Sequence, residues 1–244
     1  MGRILPNFDE YSYLFFDLDG TLTDTTGVLA DVGRDYCRAH GIEPSPTIAK
    51  DIFLYIHLYN TQYSYEAMTR GINESHGIKT PLMEGTGMMI DFAIRRYSSA
   101  KLKAGASEFL KKMASKKVLG MVTSNDPKVI EAVFSSPHIV ETIDLAKIFS
   151  DRIIHGRICD EAKKQKPNPY GFHLLLSQIG GTKDKLLIFE DSGSGLEAGY
   201  GATKNKKGTV IIKDTITNPT NQLLQKYTSF DITDWVELNE YCAK

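Results

Sequence analysis

The chain has 244 residues, a formal net charge of −1, and 41% hydrophobic and 24% charged residues, values typical of a globular protein rather than a disordered or fibrous one. The balanced charge argues against nucleic acid as a partner, and the longest apolar runs are too short to span a bilayer, so we expect no membrane partner. Three widely spaced cysteines and an N-terminus without an apolar signal segment predict reduced thiols and a cytoplasmic protein.

The first predicted strand covers residues 13–17, an apolar and aromatic run that meets a polar turn. Similar runs follow along the chain, and helical patterns separate them. This alternation predicts an α/β fold, a Rossmann-like parallel sheet in a three-layer α/β/α core, whose chemistry collects at the carboxyl ends of the strands. The other predicted strands are 118–122, 186–189, 209–212 and, more weakly, 152–155, and the predicted helices are 106–115, 128–134, 170–179 and one from 195 onward.

Residues 27–98 interrupt this alternation, because they contain helical patterns and no convincing strand. We therefore predict two domains, an α/β core of residues 1–26 and 99–244 and an inserted α-helical cap domain of residues 27–98. The long segment 134–165 predicts an extra helix or a β-flap. Within the cap, the predicted helices are 29–40, 47–58, 65–75 and 85–97.

The most informative motif is the pair of carboxylates in Asp17-Leu-Asp19, which follows the first predicted strand. In extended backbone, side chains at i and i+2 share one face, so the two negative charges lie close together. Such a pair is costly unless a cation lies between the carboxylates or one of them keeps its proton. A calcium-binding loop does not explain the pair, because it requires Gly and Glu where this chain has Leu22 and Val28.

A second pair of acids, Glu190-Asp191, follows the predicted strand at 186–189. Gly193, Gly195 and Gly199 behind them resemble a dinucleotide-binding fingerprint, but the third glycine stands one position too late and two acids would face the diphosphate. A hard cation that binds carboxylates and retains waters fits the acids better, which favours Mg²⁺.

Two further segments offer groups that bind anions. Thr123-Ser124-Asn125 follows a predicted strand just before a helix that starts at a proline, and it places hydroxyl, carboxamide and backbone N–H groups together. Lys166-Pro167 precedes the helix predicted at 170–179, and the proline fixes the turn that carries the lysine.

In this order, the four segments resemble the motifs of the haloacid dehalogenase superfamily. The first is Asp17-Leu-Asp19-Gly-Thr21, and the others are Thr123, Lys166 and Glu190-Asp191. The resemblance covers residues 13–212. The long separation of the first two motifs is typical of members with a helical cap between them, such as phosphoglycolate-phosphatase-like and β-phosphoglucomutase-like enzymes.

The resemblance implies a Mg²⁺-dependent phosphatase that hydrolyses a small phosphorylated metabolite. Asp17 would attack the phosphoryl group and form an aspartyl phosphate, and Asp19 would act as general acid and then as general base. The implied metal ligands are Asp17, Asp19 (through its backbone carbonyl), Glu190 and Asp191, and the implied phosphate-binding residues are Thr123, Ser124, Asn125 and Lys166.

Other functions stay open at this point. Mutases of the superfamily keep a proton-transferring histidine at the position that Leu29 occupies here, so a phosphatase is favoured and a phosphohexomutase is the alternative. A phosphosugar-binding regulator without catalysis is a further alternative. A receiver domain, which also carries a phosphorylatable Asp, is disfavoured by the length of the chain and by the helical insertion.

The cap is expected to set the substrate, which no local motif identifies, and the sequence does not predict the oligomeric state. The linkers at 25–28 and 98–103 are the predicted hinges of cap closure. Tyr65 and the neighbouring tyrosines are expected to pack in the core or lie on the surface. The candidate specificity residues of the cap are Lys50, His57, Tyr59, Arg70 and Arg95.

Overall fold

The computed structural model of the chain describes residues 5–25, 27–58, 64–203, 208–212, 230–232 and 234–243. Within these residues, a parallel sheet lies between two layers of helices, which confirms the predicted α/β fold. The strands are β1 (Tyr13–Phe16), β2 (Val118–Val122), β3 (Ile153–Ile154), β4 (Leu186–Glu190), β5 (Thr209–Ile212) and β6 (Phe230–Ile232).

The order of the strands places β1 in the interior of the sheet. The described strands are arranged β3-β2-β1-β4-β5-β6, and every pairing between them is parallel. Tyr13 of β1 lies opposite Val118 of β2 on one side and Leu186 of β4 on the other. The chain leaves β1 towards β2 and β3 and later returns to β4 on the opposite side, so the carboxyl end of β1 is the switch point where α/β proteins bind ligands.

Strand β1 is apolar throughout because both of its faces are covered. Leu14 and Phe16 point to one layer of helices, and Phe15 points to the other. A strand buried on both sides has a continuous rather than an alternating hydrophobic pattern. The ring of Phe16 stacks on Phe189 of β4, with the ring centroids 4.8 Å apart. This packing fixes the strands whose ends carry the acidic motifs.

Four helices follow β1 before the chain returns to the core, and they form the predicted helical cap. They pack on one another, the fourth (Leu82–Tyr97) against both the first (Val28–Ala39) and the third (Ser64–His76). Glycines permit the close approach, since a Cβ at Gly33 would lie 3.3 Å from Cγ1 of Ile52 and closer still to its terminal methyl. The cap helices are α1 (Val28–Ala39), α2 (Ile48–Leu58), α3 (Ser64–His76) and α4 (Leu82–Tyr97).

The helices of the core cover both faces of the sheet, and helix α4 of the cap contacts the core helix formed by Pro127–Phe134. None of the helices in the described ranges has the length and hydropathy needed to cross a membrane. The core helices are α5 (Ala106–Ala114), α6 (Pro127–Phe134), α7 (Pro137–Val140), α8 (Leu145–Phe149), α9 (Gly156–Glu161), α10 (Tyr170–Gln178), α11 (Gly193–Thr203) and α12 (Trp235–Tyr241).

The segment 134–165 contains the short helices α7, α8 and α9 and the edge strand β3, which pairs with β2. The expectation of an extra helix is thus correct, whereas this segment forms no β-flap, because its two-residue strand extends the main sheet in parallel. The sequence patterns predict neither β6 nor α12. Trp235 of α12 is nevertheless fully buried, and its indole N–H donates to the carbonyl oxygen of Thr21 at 3.0 Å.

Candidate active site

The carboxyl ends of β1, β2 and β4 carry one cluster of polar side chains. Asp17 directly follows β1, Thr123 follows β2, and Glu190 is the last residue of β4. Because β1 pairs with β2 on one side and with β4 on the other, the strand order brings these residues together. Lys166 joins them from the loop before α10, with a side chain that is only 9% exposed.

Lys166 is the positive centre of this cluster. Its Nζ donates hydrogen bonds to Oδ1 of Asp17 (2.7 Å), to Oε1 of Glu190 (2.6 Å) and to the carbonyl oxygen of Val122 (2.8 Å). Burial by itself favours the neutral amine, but the charges and hydrogen bonds of the two carboxylates raise the pKa of Lys166 above its ordinary value. Lys166 is therefore a buried ammonium group held in one position.

Three buried carboxylates lie close enough to share a cation. Asp17, Glu190 and Asp191 each offer an oxygen, and these oxygens lie within 4.8 Å of one another. Burial raises the pKa of Asp17 and of Glu190, although Lys166 opposes the shift in both. Three carboxylates beside one ammonium leave an excess of negative charge, which a divalent cation with oxygen ligands offsets. The donor set therefore fits Mg²⁺.

Two glycines leave room for these carboxylates. Gly20 has a φ of +71°, a region that favours glycine, and a Cβ there would lie 2.9 Å from Cγ of Asp191. Gly195 lies in the first turn of α11, where a Cβ would lie 2.5 Å from Oε1 of Glu190 and closer still to Oε2. The requirement for glycine at position 195 therefore has a steric explanation that is unrelated to dinucleotide binding.

The carboxylate of Asp19 has different partners. Thr25 Oγ1 donates to its Oδ1 at 2.7 Å, and Asn125 Nδ2 donates to its Oδ2. Burial and then the charge of Asp17 raise the pKa of Asp19 to about 6, although these donors oppose the shift. A carboxyl with this pKa exchanges its proton near neutral pH, as a general acid and base must.

Asp19 is the one predicted metal ligand whose side chain lies outside the shared group of carboxylates within the described residues. A contribution of Asp19 to the metal site would therefore come from its backbone carbonyl, as the resemblance implies. That role stays a prediction, as do those of the other predicted ligands.

Thr123, Ser124 and Asn125 form the turn between β2 and α6. Thr123 and Asn125 are buried and Ser124 is half-buried, and the backbone N–H of Asn125 donates to Oγ1 of Thr123 at 3.3 Å. The N-terminus of α6, capped by Asp126, follows directly. The predicted phosphate-binding residues thus lie at the edge of the sheet beside the carboxylates, where hydroxyl and N–H groups suit an anion. Their contact with phosphate stays a prediction.

Two tyrosines of the cap lie at this site, and neither is among the residues predicted for it. The hydroxyl of Tyr65 on α3 donates to Oδ1 of Asn125 at 3.2 Å. Burial and then the nearby charge of Asp19 raise the pKa of Tyr97, the last residue of α4. Each is 1% exposed. Tyr65 is buried as expected, but beside the site rather than only in the core. No spacing pattern marks either residue. The one available signal is that Tyr97 ends the last cap helix, where the chain returns to the core.

Of the candidate specificity residues of the cap, the structure describes three side chains, those of Lys50, Arg70 and Arg95. Lys50 and Arg95 are exposed on α2 and α4, and the guanidinium of Arg95 lies over a neighbouring phenylalanine ring, 4.7 Å from its centroid. Arg70 is half-buried on α3. Tyr59 and the side chain of His57 lie outside the described residues. A role of these residues in substrate choice stays a prediction.

Comparisons with known proteins agree with this geometry. The chain is 26% identical over 215 residues to 2-deoxyglucose-6-phosphate phosphatase 2 of Saccharomyces cerevisiae, and this match covers 80% of the chain and 78% of the relative. It is 27% identical over 192 residues to a phosphorylated carbohydrates phosphatase of Thermotoga maritima, and this match covers 78% of the chain and 80% of the relative. Among solved structures, CbbY from Rhodobacter sphaeroides in complex with phosphate has the same fold, with a TM-score of 0.74 at 17% identity over 93% of this chain and 96% of that one.

The family model of the haloacid dehalogenase-like hydrolases matches residues 11–203, most of the chain. This range contains both acidic motifs, the lysine between them and the helical cap. The match confirms the resemblance found in the sequence, and together with the two phosphatases named above it agrees with the prediction of a phosphoric monoester hydrolase. The chain belongs to the haloacid dehalogenase-like hydrolases.

Proposed function

We propose that this enzyme is a Mg²⁺-dependent phosphatase that hydrolyses small phosphorylated sugars through an aspartyl phosphate on Asp17. The observation that carries the proposal is the position of Asp17, whose carboxylate accepts a hydrogen bond from the buried ammonium of Lys166 beside two further carboxylates. Asp19, two residues further on, accepts hydrogen bonds from Thr25 and Asn125, and its pKa is raised to about 6. A nucleophile, a fixed positive charge and a proton donor are the groups that phosphoryl transfer to a carboxylate requires.

Asp17 attacks the phosphorus of the bound ester. Its approach to a phosphate dianion brings like charges together, and the ammonium of Lys166 offsets part of that repulsion. Asp17, Glu190 and Asp191 would hold Mg²⁺, which supplies further positive charge against the phosphoryl oxygens. The hydroxyl of Thr123 and the N–H groups that follow it bind the same oxygens and orient the ester.

Asp19 transfers the protons. In its protonated form it gives its proton to the oxygen of the leaving alcohol as the phosphorus–oxygen bond breaks. It is then a carboxylate, and it takes a proton from the water that attacks the aspartyl phosphate on Asp17. A pKa of about 6 allows both forms near neutral pH.

The sugar phosphate class is supported by the names of the two relatives, both phosphatases of phosphorylated sugars or carbohydrates. A phosphohexomutase, the alternative from the sequence, needs a group that transfers protons from the cap side. Leu29 stands in the first turn of α1 and is an aliphatic side chain packed against the core. This side chain supports hydrolysis over phosphoryl return to the sugar.

The test is a panel of hexose, pentose and glycolate phosphates with Mg²⁺, compared for wild type, Asp17→Asn and Asp24→Asn. Asp24→Asn is the matched control, because the same substitution is made in an exposed acid seven residues further on. We expect wild type and Asp24→Asn to release inorganic phosphate, with hexose phosphates turned over fastest. Asp17→Asn loses activity by at least about a thousandfold, since it removes the nucleophile.

Two further measurements separate the alternatives. Mass spectrometry of protein quenched during turnover should find one phosphoryl group on the peptide that contains Asp17. Conversion of hexose 1-phosphate into hexose 6-phosphate without phosphate release would support the mutase. An inactive wild type that binds sugar phosphates tightly would support the regulator and refute the proposed hydrolysis.

A further inference from the structure

One hydrogen bond joins the cap to the turn that is predicted to bind phosphate. The hydroxyl of Tyr65, in the first turn of cap helix α3, donates to Oδ1 of Asn125 at 3.2 Å. Both side chains are buried, so water has little access to this bond. A residue of the cap therefore holds a side chain of the core beside the carboxylate cluster.

The carboxamide of Asn125 has two different ends, and each end has a partner. Its Nδ2 donates to Oδ2 of Asp19, and its Oδ1 accepts the hydroxyl of Tyr65. A phenol hydroxyl carries a proton at neutral pH and suits the oxygen end of an amide, so this contact favours one of the two orientations of the carboxamide. Without the hydroxyl, the buried Oδ1 would lose this donor.

The backbone of the same turn is held by the core. The N–H of Asn125 donates to Oγ1 of Thr123 at 3.3 Å, and its carbonyl oxygen accepts the N–H of Gly156 at 2.8 Å. A Cβ at Gly156 would lie 2.9 Å from the carbonyl carbon of Ser124, so α9 packs closely on the turn. The core thus fixes the backbone of the turn, whereas the orientation of the Asn125 side chain depends in part on the cap.

The cap carries the Tyr65 hydroxyl on a packed pair of helices. Oγ1 of Thr69, one helical turn further along α3, donates to the carbonyl oxygen of Tyr65 at 2.7 Å. Helix α3 packs against α4, and α4 contacts α6, which begins two residues after Asn125. The contact between Tyr65 and Asn125 is therefore part of a continuous packed path from the cap to the phosphate-binding turn.

We propose that Tyr65 is a positioning residue for the phosphate site, holding the carboxamide of Asn125 in the orientation from which it binds a phosphoryl oxygen of the ester. This inference rests on the proposed function, in which Asn125 belongs to the phosphate-binding turn. Nδ2 carries two hydrogens, and the one that does not face Asp19 is the donor to phosphate. Tyr65 keeps this hydrogen directed into the site without touching the substrate itself.

The phosphoryl group is shared by every ester of the panel and by inorganic phosphate, which separates positioning of Asn125 from recognition of the sugar. A hydroxyl that acts through Asn125 affects the binding of free phosphate and of a sugar phosphate by the same factor. A hydroxyl that contacts the sugar leaves the binding of free phosphate unchanged. Inorganic phosphate contains no ester bond to cleave, so its Kd reports on the site without phosphoryl transfer.

The experiment measures the Kd of inorganic phosphate by calorimetry in the presence of Mg²⁺, together with KM for a hexose 6-phosphate. The variants are Tyr65→Phe, Asn125→Ala and the combination of the two. Tyr55→Phe is the matched control, because Tyr55 is also a cap tyrosine and its hydroxyl bonds within the cap to Oγ of Ser75 at 2.7 Å.

For Tyr65→Phe we expect the Kd of phosphate and KM to rise together by about threefold to tenfold, the effect of one neutral hydrogen bond. In the Asn125→Ala background, the same substitution should change the Kd by less than about twofold, because the amide through which it acts is gone. Tyr55→Phe should change neither value.

Three results would overturn the inference. A rise in KM with an unchanged Kd of phosphate would mean that Tyr65 recognises the sugar, and no change in either value would mean that its hydroxyl positions nothing. An equal effect of Tyr65→Phe with and without the Asn125 side chain would mean that it does not act through the amide.

All three results leave wild type active as a phosphatase. Failure of the proposed function looks different, because wild type would then release phosphate from no ester. If Tyr65→Phe unfolds at the assay temperature, Tyr65→Met is measured in its place, since it also lacks the hydroxyl and its flexible side chain adapts to irregular core sites. An unchanged Kd of phosphate in that variant refutes the positioning role.

Discussion

Replacing Gly195 tests whether the position of Glu190 depends on the lack of a side chain at residue 195. In an exposed helix, Ala in place of Gly adds about 0.5–1 kcal/mol of stability. At position 195 the new Cβ would lie 2.5 Å from Oε1 of Glu190, well below the ordinary contact range of 3.4–4 Å. We therefore expect Gly195→Ala to reverse the usual effect of this substitution.

The magnitude follows from the ion pair with Lys166. The carboxylate of Glu190 has to retreat by about 1 Å, and its 2.6 Å hydrogen bond with Lys166 lengthens accordingly. Removing one partner from a buried pair costs about 3–5 kcal/mol, so a partial loss, less the gain in helix propensity, gives a net destabilisation of about 2–3 kcal/mol. For a chain of this size, that lowers the melting temperature by about 5–10 °C.

The assay is thermal unfolding combined with a Mg²⁺ titration of activity, with Gly87→Ala as the control. Gly87 lies within α4, and a Cβ there meets nothing within 4 Å, so this variant should melt slightly above wild type. Gly195→Ala should melt lower and need about 10–100 times more Mg²⁺ for half-maximal activity, because a displaced ligand or its support weakens metal binding. If both variants melt above wild type with unchanged Mg²⁺ dependence, Glu190 is not confined by Gly195.

Three other changes have defined outcomes. Lys166→Met removes the ammonium from the carboxylate cluster, so activity should fall at least about a hundredfold, and the difference in melting temperature between Mg²⁺ and EDTA should exceed that of wild type. Trp235→Phe leaves the carbonyl of Thr21 without its indole donor, and denaturant unfolding should show a loss of about 1–3 kcal/mol. Burial lowers the pKa of His155 below 6.5, so on acidification the unfolded chain binds a proton before the folded chain does. Stability therefore falls as the pH drops below about 6.5, and His155→Gln should flatten this part of the stability curve measured against pH.

The convergence of the acidic motifs is predictable because it needs only local information. Each motif directly follows an apolar run, and parallel strands place their carboxyl ends on one edge of the sheet. The sequence thus indicates that Asp17, Thr123 and Glu190 share a site, and the structure places them on adjacent strands. Lys166 is predictable through Pro167, which marks the turn that carries the lysine into the cluster.

Other features depend on packing between distant segments and have no local pattern. Strand β6 has three residues, too few for a period, and α12 is recognisable only through Trp235, which is buried against Phe16, Phe109 and Phe189. The steric role of Gly195 depends on where the side chain of Glu190 points. The spacing of Gly193, Gly195 and Gly199 on its own therefore favours a dinucleotide site, and the adjacent acidic residues are what argues against it.

The two ends of the cap lie beside Asp19. The chain leaves the core just after Thr25, whose hydroxyl donates to Asp19, and it returns just after Tyr97, whose pKa is raised by burial and then by the charge of Asp19. The outgoing and returning segments are joined by backbone hydrogen bonds, from Asp24 N to the carbonyl oxygen of Lys101 (2.9 Å) and from Lys103 N to that of Leu22 (2.9 Å). An insertion at this point of the chain necessarily begins and ends beside the first acidic motif. The carboxyl of Asp19 is thus held by groups of the core, Thr25 and Asn125, and Asn125 in turn accepts a hydrogen bond from Tyr65 of the cap, so no single motif contains every group that holds Asp19.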